Sequence, residues 1–168
     1  PRQKRRAMGR MSIFAVQAAE HALKDSGLDP SDMPGRLGCI IGSTMGSANS
    51  ISDVFVKLIN EKDVHQISSG LFFQCMSHTA AVNVAQYLGL IGCVLATSSA
   101  CASSLQAIGA GYELISMGRQ DALLCGGAEE LHPMVTGSFD IVHATSVKYN
   151  QSPERTTRPF DKDSDGLV

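Results

Sequence analysis

Hydrophobic positions along this chain switch repeatedly between two periods. Over residues 8–26 they fall at Met8, Met11, Phe14, Ala15, Ala18, Ala22 and Leu23, the spacing of one helix face, and Gly27 supplies a helix stop. Turn-forming residues, Asp29-Pro30-Ser31-Asp32 and Pro34-Gly35, separate that helix from residues 37–41. This second stretch is short and almost continuously apolar, which predicts a strand buried on both faces. Residues 42–47 read as a loop, 50–60 as a helix and 61–70 as a polar connection. Residues 77–89 repeat Ala, Val and Leu at helical spacing, with Ser77 or Thr79 placed to cap them. A second strand is predicted at 92–97, a long helix at 100–118, and a third strand at 121–125 closed by Gly126-Gly127. Residues 129–150 are mixed, with Pro133 permitting a helix start, and 152–165 form a polar loop. Strand and helix alternate, so the fold class is α/β, with a largely parallel sheet covered on both faces. No short-period repeat interrupts this order.

Composition narrows the picture. The chain has 168 residues, enough for one compact domain with its own core. Hydrophobic residues make up 43% but aromatic ones only 5%, with no Trp. The apolar content is therefore mostly aliphatic, as suits helices packed on a buried sheet. A net charge of −2 gives no general attraction to nucleic acid or to an anionic membrane. No apolar stretch approaches the length of a membrane span. The five cysteines, Cys39, Cys75, Cys93, Cys101 and Cys125, are odd in number and form no CxxC pair, which argues for free thiols in a reducing, cytoplasmic setting. No Cys/His spacing suits a structural metal, and neither a metal nor a cofactor is expected. Asn150-Gln151-Ser152 reads as a glycosylation sequon without consequence in such a compartment. Both ends look cut: residues 1–6 lead into a helical pattern with no start methionine, and residues 165–168 stop as a strand begins.

The candidate chemistry lies at Thr97-Ser98-Ser99-Ala100-Cys101-Ala102-Ser103-Ser104-Leu105-Gln106-Ala107-Ile108. An apolar strand stops at small hydroxyl residues, one cysteine follows, and a helix begins. Nothing bulky flanks Cys101, so a carbonyl can approach its sulfur. A helix starting at that residue would offer free N–H groups and a favourable dipole to a thiolate. Strand-to-helix junctions are also where ligand sites gather in α/β sheets. The hydrolase elbow G-x-S-x-G is absent, because Ser99 and Ser103 occupy its glycine positions. Cys39, Cys93 and Cys125 lie in or at the ends of apolar strands and read as small buried hydrophobes. The 42–47 loop fits neither dinucleotide nor P-loop spacing and reads as close packing. The adjacent Glu129 and Glu130 could do acid–base work, but one of them is expected instead to satisfy backbone or arginine donors near a loop, since neighbours on a strand point to opposite faces. His21, His65, His78, His132 and His143 show no metal-ligand spacing.

Residues 97–108 resemble the nucleophile segment of the β-ketoacyl-acyl-carrier-protein synthases, the condensing enzymes of fatty-acid and polyketide synthesis. Ser116-Met117-Gly118-Arg119-Gln120-Asp121, followed by Cys125-Gly126-Gly127-Ala128-Glu129-Glu130, resembles the family's next strand and its glycine-glycine-acid end. Phe139-Asp140, Tyr149-Asn150, Arg158-Pro159-Phe160-Asp161 and Asp165-Gly166 follow in the family's order and spacing, and Arg6-Ala7-Met8-Gly9-Arg10-Met11-Ser12 is similar to its upstream helix start. Glu129-Glu130-Leu131 and Lys148-Tyr149-Asn150 lean towards the elongating type I and II enzymes.

The resemblance implies a thiolase fold, layered α-β-α-β-α in two similar five-stranded halves. Residues 1–168 would be most of the first half, truncated at both ends. Two active-site histidines, a lysine and the glycine-rich segment giving a second oxyanion N–H would lie in the other half. Cys101 would be the catalytic nucleophile and its own N–H the first oxyanion donor. It would take an acyl chain from a carrier thioester, and a malonyl-carrier would then lose carbon dioxide and attack the acyl-cysteine, giving a 3-ketoacyl-carrier. Met45, Gly46, Val135 and Phe139 match positions lining the acyl pocket. Arg2, Lys4, Arg5 and Arg6 resemble the patch that faces the acidic carrier protein, although a solvated helix start fits them equally. A homodimer would form through the edge strand near residues 92–97. Two rivals are a degradative thiolase acting on coenzyme A thioesters, which the polar tract 155–165 disfavours, and a non-catalytic partner subunit like the chain-length factors, in which the cysteine is replaced.

Overall fold

The computed structural model describes residues 5–168. They form two compact units, one ending at Glu130 and the other covering Leu131–Val168. In the first unit the order is α1 (Arg10–Ser26), β1 (Leu37–Gly42), α2 (Ala48–Glu61), α3 (Ser69–Gln74), α4 (Thr79–Leu88), β2 (Val94–Thr97), α5 (Ser103–Ser116) and β3 (Ala122–Gly127). The strands form a parallel sheet in the order β2-β1-β3. The α/β class and parallel sheet expected from the sequence are therefore present.

The centre of the sheet is buried as the apolar run at 37–41 requires: every residue of β1 is shielded. Its residues alternate between the two faces. Leu37, Cys39 and Ile41 join Met11, Ala15, Ala81 and Val84 of α1 and α4 in one cluster. The Cys39 thiol donates to the Ala81 carbonyl at 3.3 Å, so this cysteine is the buried small hydrophobe the sequence suggested. Burial pushes that thiol up to about 12. On the other face α5 presents a narrow buried stripe of Ser103, Ala107 and Gly111, spaced four apart. A side chain at Gly111 would strike the Cys125 sulfur, so glycine there sets how closely α5 approaches β3. Outside that stripe α5 carries exposed apolar residues at Leu105, Ile108, Tyr112 and Ile115.

At the N-terminal end of the sheet, long side chains tie the strands together. Arg36 grips Asp121 through two nitrogens and donates to the Gly118 and Arg119 carbonyls at 3.0 and 3.1 Å. The buried Gln120 side chain accepts from the Cys93 N–H at 3.0 Å and donates to the Gly35 carbonyl at 3.1 Å.

Several boundaries differ from expectation. Gly27 ends α1 as anticipated, with a left-handed φ of 70°. α4 begins at Thr79, with His78 at its N-cap making no side-chain bond, so neither Ser77 nor Thr79 caps it. The connection at 61–70 contains a 3₁₀ turn, Val64–Gln66, and leads into α3, whose cap is the Ser68 hydroxyl accepting from Leu71 N–H at 3.2 Å. α5 starts at Ser103 rather than at residue 100 or 101.

In the second unit, α6 (Pro133–Ile141) follows Pro133 as its first residue. The His132 ring nitrogen Nδ1 accepts from the Met134 N–H at 3.1 Å, which gives that histidine a capping task. The polar loop beyond it is held by Asp165, whose carboxylate accepts from Ser146 Oγ, Val147 N–H and Lys148 N–H at 2.6, 2.9 and 2.8 Å. Those donors, the Ser146 hydroxyl foremost, hold the Asp165 carboxyl at about 2. Only one bridge, Thr145 to Leu167, forms where a strand was expected to begin.

Candidate functional site

The three strands end together at Gly42, Thr97 and Gly127. Beyond β2 the chain turns sharply into α5, and Cys101 sits on that turn, exposed. The turn depends on Ala100, which takes the left-handed φ of 51°, a conformation disfavoured for any residue with a Cβ. A buried hydroxyl holds it there: Ser103 Oγ accepts from the Ser99 N–H at 2.9 Å and donates to the Ala100 carbonyl at 2.7 Å. The Ser103 carbonyl in turn accepts from Thr97 Oγ1 at 2.9 Å. Glycine at position 42 is a packing requirement, because a Cβ there would stand 2.5 Å from the Ser103 carbonyl oxygen.

Cys101 thus precedes α5, and Ala102 occupies the N-cap. The Ala102 and Ser103 N–H groups are already committed to the Ser99 and Ala100 carbonyls, at 3.1 and 3.0 Å. The expectation that Cys101 opens the helix among free N–H groups is corrected accordingly. Its setting is a tight hydroxyl-braced turn leading into a helix.

Facing this turn is the 42–47 loop. Thr44 Oγ1 donates to the Ala100 carbonyl at 2.9 Å, so that one carbonyl receives two hydroxyls. Glu129 holds the loop from behind. Its carboxylate accepts from Ser43 Oγ at 2.8 Å, from the Thr44 N–H in a short contact, and from the Met45 N–H at 3.4 Å. A cleft of about 200 Å³ opens between these groups, lined by Thr44, Cys101, Ser104 and Glu129 among others. A neighbouring cleft of about 190 Å³ shares Ser43 and Thr44 and is lined by Met45, Gly46, Ile51 and Cys75.

Glu130, the next residue, points elsewhere. It is buried and accepts from the Met11 N–H at 3.2 Å and from the Asn49 N–H at 2.7 Å. One carboxylate therefore caps the first turns of both α1 and α2, whose own N-cap residues, Gly9 and Ser47, make no side-chain bond. Both acids satisfy backbone donors near a loop, and neighbouring positions do send them to different partners.

The structure thus brings Cys101, Met45 and Gly46 to adjoining clefts that share the wall of the 42–47 loop. Val135 and Phe139 lie four apart on α6, half-buried on one side of that helix in the second unit. Arg5 and Arg6 are exposed just before α1, whereas Arg2 and Lys4 fall outside the described residues. Cys75 and Cys125 are partly buried, and that burial raises both thiols. Among the described residues no group of His, Cys, Asp and Glu could hold a metal, and no helix is long and apolar enough to cross a membrane. Sequence reasoning missed Thr44 and Ser103. Their signal was hydroxyl residues directly after two adjacent strands, at 43–44 and 97–104.

A parallel sheet whose strand ends carry an exposed cysteine on a strand-to-helix turn is the architecture of the thiolase-fold condensing enzymes. The family model "Beta-ketoacyl synthase, N-terminal domain" matches residues 1–168, and the chain belongs to that family. It is similar to a β-ketoacyl synthase from Burkholderia phymatum, at 44% identity and a TM-score of 0.88, covering 100% of this chain and 41% of that one. It also matches 3-oxoacyl-[acyl-carrier-protein] synthase 1 of Haemophilus influenzae, 33% identical over 97% of this chain and 40% of the relative. A third relative is the ketoacyl synthase alpha subunit of the tetracenomycin polyketide synthase of Streptomyces glaucescens, 34% identical over 95% of this chain and 39% of that one. The chain thus spans about 40% of the length of the curated relatives it matches.

Proposed function

We propose that this chain is the nucleophile-bearing N-terminal half of an elongating β-ketoacyl-acyl-carrier-protein synthase. Cys101 accepts an acyl group from a carrier thioester: its sulfur bonds to the carbonyl carbon, the carrier sulfur leaves, and the thiol proton passes to that leaving group. A malonyl-carrier then loses carbon dioxide, and the resulting carbanion attacks the acyl-cysteine and releases 3-ketoacyl-carrier. The observation that carries this reading is the exposed Cys101 on its braced turn, opening to a cleft, in a chain of this family. The Cys101 N–H serves as an oxyanion donor. Decarboxylation falls to residues beyond this chain's span. Met45 and Gly46 limit the acyl chain from the adjoining cleft, and Val135 and Phe139 of α6 take the acyl-binding role that the family resemblance implies for them. The positive charge of Arg2, Lys4, Arg5 and Arg6 attracts the acidic carrier. The buried and partly buried free thiols fit a cytoplasmic enzyme.

The apolar outer face of α5 is covered, on this reading, by the other half of the domain, so residues 1–168 alone would aggregate and would not condense acyl chains. The edge strand β2, with Leu95 exposed, pairs with a second copy of the subunit. One similar solved structure, at 26% identity, is a ketosynthase/chain length factor, so pairing with a cysteine-less relative is the alternative outcome.

The test is turnover. The complete polypeptide that carries this chain, given acyl- and malonyl-carrier protein, is expected to release 3-ketoacyl-carrier, and Cys101→Ala is expected to abolish it. Retained turnover in that variant would overturn the assignment.

A further inference from the structure

The geometry points to Thr44 as a positioning residue that aims the Cys101 N–H, the oxyanion donor, through the peptide group it shares with Ala100. This rests on Cys101 being the acyl acceptor. The carbonyl oxygen of Ala100 and the N–H of Cys101 belong to one peptide unit. That unit is planar and trans, so fixing where its oxygen points fixes where its N–H points, on the opposite side. Two hydroxyls fix the oxygen: Ser103 Oγ at 2.7 Å from within α5, and Thr44 Oγ1 at 2.9 Å from the loop after β1.

The two hydroxyls are not equivalent. Ser103 lies three residues along from Ala100 and belongs to the same turn, so on its own it lets turn and N–H swing together. Thr44 lies 56 residues away in sequence and is itself anchored by the Glu129 carboxylate through its own backbone N–H. It ties the turn to the segments that follow β1 and β3. Ala100 makes such a tie necessary, because its left-handed φ of 51° is one an alanine leaves readily if unrestrained. These hydroxyls, together with the Ser103 N–H at 3.0 Å, also polarise the peptide and strengthen the Cys101 N–H as a donor on its far side. Thr44 touches no reacting atom on this account. It acts through the orientation of a neighbouring peptide.

The test compares two reactions of one sulfur. Acyl transfer from a carrier thioester develops an oxyanion and needs an aimed N–H. Alkylation by iodoacetamide is a direct displacement at carbon and develops none. In the complete polypeptide, Thr44→Val keeps the shape, the backbone bond to Glu129 and the Ser103 hydroxyl, but removes the Thr44 hydroxyl. Its single-turnover acylation of Cys101 is expected to fall about tenfold, less than the 10²–10³-fold typical of deleting an oxyanion donor outright. Its alkylation rate is expected to stay within about twofold, since the thiol itself is undisturbed. Thr44→Ser, which restores the hydroxyl, is expected to recover most of the acylation rate. Acylation of Thr44→Val at the unmodified rate would overturn the proposal, as would a parallel fall in alkylation, which would mark a general distortion of the turn. Failure of the unmodified protein to acylate at Cys101 would instead remove the nucleophile assignment on which the proposal stands.

Discussion

The two ends of the central sheet solve the same problem with opposite materials. Parallel strands leave backbone groups without partners where they begin and where they end. At the N-terminal end long side chains close the gaps, with Arg36 on Asp121 and Gln120 across the starts of all three strands. At the C-terminal end the closing groups are short: the hydroxyls of Thr44, Thr97 and Ser103 around Ala100, with glycines at 42 and 127. Long side chains fill the space they bridge. Short ones leave clefts open beside Cys101 and fix a peptide's direction at the same time. A longer group at this end, Glu129, is set behind the loop, where it steadies Thr44 while Cys101 stays exposed.

Substitutions at each end should separate the two roles. The largest effect is expected from Glu130→Ala, which strips the caps of two helices and leaves two N–H groups without acceptors. A loss of about 3 kcal/mol in chemical denaturation is expected, and Glu130→Gln should lose less, because its amide keeps one acceptor oxygen. Unchanged stability in Glu130→Ala would mean the two helices do not depend on that carboxylate.

Next comes Gln120→Leu at the opposite end, which leaves the Cys93 N–H and the Gly35 carbonyl without this partner. It should cost about 2 kcal/mol while acyl transfer at Cys101 keeps its rate, and a slowed transfer would show that the ends are not separable. Ala100→Gly should go the other way. Relief of the left-handed strain is expected to stabilise the protein by about 1 kcal/mol, read as a raised unfolding midpoint.

The smallest effect belongs to the exposed Arg36–Asp121 pair. The guanidinium holds the Asp121 carboxyl below its ordinary 3.8 and is itself raised by the carboxylate. A depressed acid contributes stability above its unfolded value and loses it as the pH falls through the folded one. Asp121→Asn should therefore differ from the unmodified protein only above the ordinary carboxylate range and at low salt, with the two midpoints converging as the pH falls well below that range and in high salt. A difference that persists in high salt would contradict the view of this end as a solvated tie.

What the sequence disclosed was mostly local. The apolar run of β1 and the stop at Gly27 were legible because burial and left-handed φ select residue type directly. Cys101 stood out for its small neighbours. The start of α5 was misplaced because Ser103, which looks like a mid-helix serine, sends its hydroxyl backwards to Ala100, and nothing about an alanine announces a φ of 51°. α3 was hidden because Leu71, Phe72 and Phe73 are contiguous and fit no period over six residues, although Ser68 before them is a cap signal. The bonds from Glu129 to the 43–45 loop span 84 to 86 residues, and only the fold brings them together. Two of the basic residues in the carrier-facing reading, Arg5 and Arg6, proved exposed, as both a docking patch and a solvated helix start require.

The central claim is that Cys101 alone receives the acyl group. Burial raises Cys75 and Cys125 and pushes Cys39 up to about 12, which disfavours the thiolate at all three. The most direct measurement incubates the complete polypeptide with an acyl-carrier thioester and no malonyl-carrier, then reads the intact mass and maps the modified peptide. One acyl group, released by hydroxylamine and confined to the peptide containing Cys101, is the result this account predicts. An acyl group on Cys75 or Cys125, or none on any cysteine, would contradict it.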